Sequence, residues 1–113
     1  MKVRTNIWIE DEEGKVAYGL GRQRILKAIR DNGSIKAAAE KLGMSYRGLW
    51  ARLRQSEKRL GFPLTESKTG RGKDAGTVLT PQAVRLLESY ARMIGEIYET
   101  SERSYHEHFE DVF

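Results

Sequence analysis

The stretch GSIKAAAEKLGMS, residues 33–45, leaves the chain few choices. Asn32 and Gly33 tolerate the left-handed conformation in which helices end, so a helix over residues 21–31, with Ile25, Leu26 and Ile29 as its apolar stripe, stops there. Ser34 then offers a hydroxyl to an unpaired backbone N–H of the next helix, Ile35 to Leu42. Ala37, Ala38 and Ala39 make that helix thin, so another can approach closely. Gly43 ends it, and Ser45 caps a third helix running to about Leu60. Two capped helices joined by a turn of three or four residues containing glycine have the spacing of a helix-turn-helix.

The flanking segments add a little β structure. Lys2 to Glu10 alternates, with Val3, Thr5, Ile7 and Ile9 on one side, which predicts a strand. Asp11 to Gly14 turns, and Lys15 to Tyr18 returns as a short second strand. Leu64–Ser67 and Thr77–Leu79 flank the glycine-rich, charged run KTGRGKDAG and form a hairpin with a basic tip. Thr80 caps and Pro81 opens a long helix reaching about residue 108. The expected fold class is mainly α with small β: a winged helix-turn-helix unit over residues 1–79, with a β-ribbon at 2–18 and a wing at 64–79, followed by a C-terminal dimerisation helix within 80–113.

Charge locates the surface that matters. The net charge is only +4, yet residues 21–76 hold fourteen of the twenty basic side chains and five of the sixteen acidic ones. A basic block between acidic ends fits a local polyanion-binding surface. On the third helix, Tyr46, Leu49, Trp50, Leu53 and Leu60 share one arc, which predicts the core face. The opposite arc carries Arg47, Ala51, Arg54 and Lys58, flanked by Arg52, Gln55 and Arg59. Guanidinium forks separated by small residues fit a major groove, where arginine takes guanine O6 and N7 together. Ser45, Arg47, Gly48 and Ala51 are the expected base readers; Arg52, Arg54, Lys58 and Arg59 are expected at phosphates. Ser34 and Lys36, at the start of the second helix, join this contact set. Lys68, Arg71 and Lys73 on the wing supply contacts that release counterions.

On the last helix Val84, Leu87, Ala91, Ile94, Tyr98, Ser101 and Tyr105 step by three and four residues, a heptad-like row. Leu86, Tyr90, Met93 and Ile97 form a second row beside it. One row is expected to pack on the domain and the other to meet a second copy. Val84, Leu87, Ala91, Ile94, Tyr98 and Tyr105 are the expected dimer residues.

Other chemistry finds little support. There is no cysteine, and the acids and histidines show no paired arrangement suited to acid–base catalysis, so neither catalytic residues nor a cofactor are expected. GRGKD lacks the Ser or Thr that a phosphate-binding loop needs after its lysine, and Arg24 stands where a dinucleotide fingerprint beginning at Gly19 needs its third glycine. His106 and His108 have no partners at metal-ligand spacing. No apolar run is long enough to cross a bilayer and the N-terminus is unlike a signal peptide, which leads to an expected cytoplasmic location with no membrane partner. The expected partners are double-stranded DNA and a second copy of the chain. The alternative is a winged helix that docks its basic face on an acidic protein.

GSIKAAAEKLGMSYRGLW, followed by LGFPLTES, a glycine-rich stretch and VLT, resembles the N-terminal DNA-binding domain of the ModE family over roughly residues 19–98. These are prokaryotic molybdate-responsive transcription regulators, distantly similar to LysR-type regulators. The resemblance implies a winged helix-turn-helix, a dimer made by the long last helix, and DNA contacts at Ser45, Tyr46, Arg47 and the wing. It therefore places Tyr46 at DNA, whereas the helical arc places it in the core. The wing here is poorer in glycine than the family's, and nothing after residue 100 is expected to form a molybdate-binding domain. The expected function is that of a homodimeric, sequence-specific regulator of transcription.

Overall fold

The computed structural model describes residues 1–68 and 76–113. Four helices follow the capping signals: α1 (Leu20–Asn32), α2 (Ile35–Leu42), α3 (Tyr46–Leu60) and α4 (Pro81–Phe109). Ser34 Oγ accepts from the Ala37 N–H at 3.0 Å and Ser45 Oγ from the Gly48 N–H at 2.9 Å. Thr80 Oγ1 accepts from the Ala83 N–H at 3.1 Å and donates to the Pro63 carbonyl at 2.9 Å, so the α4 cap is also bonded to the segment after α3. Gly33 and Gly43 close α1 and α2 in the left-handed region, at φ 73° and 68°.

The core lies where α1, α2 and α3 meet the first turns of α4. Leu26, Ile29 and Leu49 are completely buried there, each contributing about 1.5–3 kcal/mol of transfer free energy. Ala38 is equally buried, and its small side chain lets α1 and α2 sit close together. Two antiparallel pairs flank this core: β1 (Ile9–Glu10) with β2 (Val16–Tyr18), and β3 (Thr65–Ser67) with β4 (Thr77–Leu79). In the second pair Thr65 faces Leu79 and Ser67 faces Thr77. The Thr77 N–H donates to the Gly33 carbonyl at 2.9 Å, which fixes the base of the hairpin to the turn between α1 and α2.

The N-terminal ribbon is shorter than its alternation predicts. Only Ile9 and Glu10 pair with β2, and residues 1–8 belong to no sheet. The apolar side of this segment turns to α4 instead. Tyr90 Oη donates to the Ile7 carbonyl at 2.7 Å, and Val3 lines a groove with Ile97, Ser101, Tyr105 and Phe109. Val3 and Ile7 are half-buried, while Thr5 and Ile9 on the same side are exposed, so the alternation overstates how much of the segment is covered.

α4 is about 43 Å long at the usual rise, and the molecule measures 62 × 30 × 24 Å. Ala83, Leu87 and Tyr90 are buried in the domain, with Leu86, Met93 and Ile94 packed at its edge. Beyond Ile94 no α4 side chain belongs to the core or its edge. The expected dimer row is thereby divided. Leu87, only 4% exposed, is a core residue of the monomer and supplies no outward face, a correction to the heptad reading. Val84, Ala91 and Tyr98 remain exposed on the neighbouring strip, and Tyr105 stacks on Phe109. Among the described residues no helix is long and apolar enough to cross a membrane.

Candidate nucleic-acid interface

α3 buries Leu49, Leu53 and Ser56 and turns Arg47, Ala51, Arg54 and Lys58 to solvent. These four sit near one line of the helix because residues three and four apart share a face. Ser45, exposed at the helix start, is occupied by its cap bond to Gly48. A Cβ on Gly48 would stand 2.9 Å from that hydroxyl, so the glycine accommodates the cap as well as leaving the helix surface low. Lys36 is exposed on α2, and Ser34 is half-buried by its own cap.

Tyr46 departs from the arc that assigns it to the core: it is 52% exposed. The core does not reach the first residue of α3, so a helical angle that is interior further along is solvent there. Tyr46 and Trp50 pack in a T-shaped pair at 6.3 Å between ring centres, and Trp50 is half-buried against the core. The Arg54 guanidinium lies 5.0 Å from the Trp50 ring centre and 3.8 Å from Glu57. Glu57 in turn accepts from the Leu64 N–H at 2.8 Å.

The two flanks of α3 differ. One looks across a groove to the β3–β4 hairpin, with Trp50, Arg54 and Glu57 on one wall and Thr65, Glu66, Ser67 and Thr77 on the other. Lys68 is exposed at the end of this hairpin, while Arg71 and Lys73 lie outside the described residues. The other flank gathers Arg22, Arg52 and Arg59. Arg22 donates to Ser56 Oγ at 2.9 Å and to Gln55 Oε1 at 2.8 Å. Burial, and then the charges of Arg52 and Arg59, lower its affinity for a proton below the usual arginine value. The sequence reading passed over Arg22, whose signal was only its place at the start of the basic block.

The C-terminal end of α3 is less available than its charge implies. Arg59 donates to the Val16 carbonyl at 2.6 Å and so braces the ribbon. Lys58 and Arg59 share a groove with Asp11, Glu12 and Glu13 of the ribbon turn. Those carboxylates oppose the approach of phosphate at this end and leave the N-terminal half of α3 the more favourable anion surface.

A thin helix, a glycine turn, a second helix with an outward basic face, and a hairpin hydrogen-bonded to the turn before them define a winged helix-turn-helix. The profile described as "Bacterial regulatory helix-turn-helix protein, lysR family" matches residues 20–84, more than half of the sequence. The chain belongs to that family.

Similar proteins include the transcriptional regulator ModE of Haemophilus influenzae, 42% identical over 69 residues, covering 61% of this chain and 27% of that protein. The molybdenum transport protein ModE of Herbaspirillum seropedicae is 43% identical over 85 residues, covering 74% of this chain and 32% of that protein. The chain thus spans between a quarter and a third of the length of these relatives. Among solved structures, the DNA-binding domain of CbnR in complex with DNA aligns with a TM-score of 0.55 at 26% identity, covering 74% of this chain and 91% of that one. The DNA-binding domain of BenM, also with DNA, aligns at 0.58 over 79% of this chain and 94% of that one; at 20% identity it speaks for the fold alone. The winged helix expected from the caps and turns agrees with both solved structures, and the resemblance to ModE agrees with both sequence relatives.

Proposed function

We propose that the chain binds duplex DNA as a homodimer and regulates transcription, with the N-terminal half of α3 in a major groove and the β3–β4 hairpin on the adjoining backbone. The observation that carries this reading is the outward arc of α3. Arg47, Ala51, Arg54 and Lys58 are all exposed and aligned, and Arg54 also lines the groove beside the hairpin that bears Lys68. Arg47, on the second residue of α3, is the base reader, and Ser45, Tyr46 and Ala51 line the approach. Lys36, Lys68, Arg52 and Arg54 meet phosphates, together with Arg71 and Lys73.

The exposed strip Val84, Ala91 and Tyr98 of α4 meets the same strip of a second copy. Half-sites about 34 Å apart are the expected target of such an isologous dimer if its two copies of α3 face the duplex together. The Herbaspirillum seropedicae relative is named a molybdenum transport protein, so molybdate is the first effector to try.

Selection of genomic fragments by the purified protein, with and without molybdate, tests the reading. Recovery of fragments sharing a two-fold repeated sequence is the expected result. Recovery of fragments with no common sequence argues against base reading, and recovery of none argues for a protein partner at the basic face.

A further inference from the structure

Tyr46, Trp50 and Arg54 stand four residues apart along the hairpin side of α3, and the middle ring touches both neighbours. Trp50 is the one anchored member: it is half-buried and packs on the core, while Tyr46 and Arg54 are exposed. The Arg54 guanidinium lies over the indole and Tyr46 forms a T-shaped pair with it. Glu57, held by the Leu64 N–H, limits the guanidinium from behind. The indole therefore gives two exposed side chains a surface to rest on, and Arg54 lines the groove between α3 and the hairpin with it.

Resting on the DNA-binding reading, we propose that Trp50 is a positioning residue through which Arg54 acts, holding its guanidinium on the strand of phosphates that runs between α3 and the hairpin. When a helix occupies a major groove and a hairpin reaches the next minor groove, the backbone separating the two must cross the space between them. That space is the groove walled by Trp50 and Arg54 on one side and Ser67 and Thr77 on the other. An unsupported arginine would spend much of its time elsewhere, because its long side chain loses rotamer freedom on binding. Stacking on the indole removes part of that freedom beforehand, so more of the phosphate contact is retained as affinity. Glu66 on the far wall and Glu57 beside Arg54 both oppose phosphate, so the strand is expected at the outer edge of the groove, where the Arg54 guanidinium is exposed.

A double-mutant cycle on duplex affinity, read across a salt series, tests this on both a selected fragment and a random duplex. Arg54→Ala is expected to weaken both about tenfold and to reduce the slope of log K against log salt by about 1, the signature of one lost phosphate contact. Trp50→Leu should reproduce both changes although it removes no charge, and the double variant should bind within about twofold of either single one. Trp50→Phe, which keeps a ring, should restore most of the slope. Trp50→Met replaces Trp50→Leu if thermal melting shows the latter unfolded. A Trp50 variant that melts normally with an unchanged slope, or single effects that multiply to about a hundredfold, would overturn the proposal. A wild-type protein that binds neither duplex removes the DNA-binding reading and this inference together, a result distinct from either of those.

Discussion

Gln23, buried in α1, donates from Nε2 to the Leu87 carbonyl in α4 at 2.9 Å, while its Oε1 accepts from the Tyr18 hydroxyl. This one amide joins the ribbon, the first helix and the long helix. Tyr18 also packs edge-on against Tyr90, which bonds to the N-terminal segment through the Ile7 carbonyl. The helix-turn-helix unit and the proximal part of α4 are thus held as one body by polar bonds as well as apolar packing.

Tyr18→Phe leaves Gln23 Oε1 without its donor in a buried site, and should lower stability by about 1–3 kcal/mol in denaturant unfolding. The pH dependence follows from the same group. Burial, and then Tyr90, raise the Tyr18 pKa above its ordinary value of 10.0, so the unfolded chain loses this proton first. Stability is fully present below pH 10.0 and declines as pH rises beyond it. The phenylalanine variant should show a shallower decline; an equal one would assign the alkaline loss to other groups.

Leu87 and its neighbours on α4 should separate folding from assembly. Leu87→Ala creates a core cavity and should destabilise by about 2–5 kcal/mol. Ala91→Glu and Tyr98→Glu alter exposed positions and should leave melting of the monomer unchanged while shifting sedimentation from dimer to monomer. Retained dimers in both glutamate variants would place the contact elsewhere.

Gly76 sits at φ 86°, and a Cβ there would stand 2.8 Å from the Gly33 carbonyl oxygen. That oxygen already accepts from the Thr77 N–H, so it has little room to withdraw. Gly76→Ala should free the hairpin base from the α1–α2 turn and destabilise by more than about 1 kcal/mol. Its duplex affinity should fall on all sequences alike. A variant as stable as the wild type would show that the turn can yield.

Arg47→Ala should lower discrimination between a selected and a random duplex by about 1–3 kcal/mol if Arg47 takes a guanine. Equal losses on both would make it a phosphate contact.

Much of this architecture was legible because its signals are local. Ser34, Ser45 and Thr80 each cap the helix they precede, and glycines end α1, α2 and α3 where the pattern breaks. What escaped depends on distant partners. Val3 and Ile7 alternate as a strand does, but the surface they meet is α4, far along the chain. Leu87 belongs to a convincing heptad row, yet it lies about 60° around the helix from Val84, on the side of Ala83 and Tyr90, and so falls inside the monomer. Tyr46 shares an angle with core residues, and only the folded domain shows that the core stops short of it. Arg59 read as a phosphate contact because its bond to the Val16 carbonyl has no sequence signature.

Chemical protection of guanine N7 on a selected fragment, with and without the protein, measures most directly whether the arginine face of α3 lies in a major groove. The account predicts two protected clusters about 34 Å apart along one side of the duplex, lost in Arg47→Ala. Tight binding that leaves every guanine N7 as reactive as in bare DNA would contradict it.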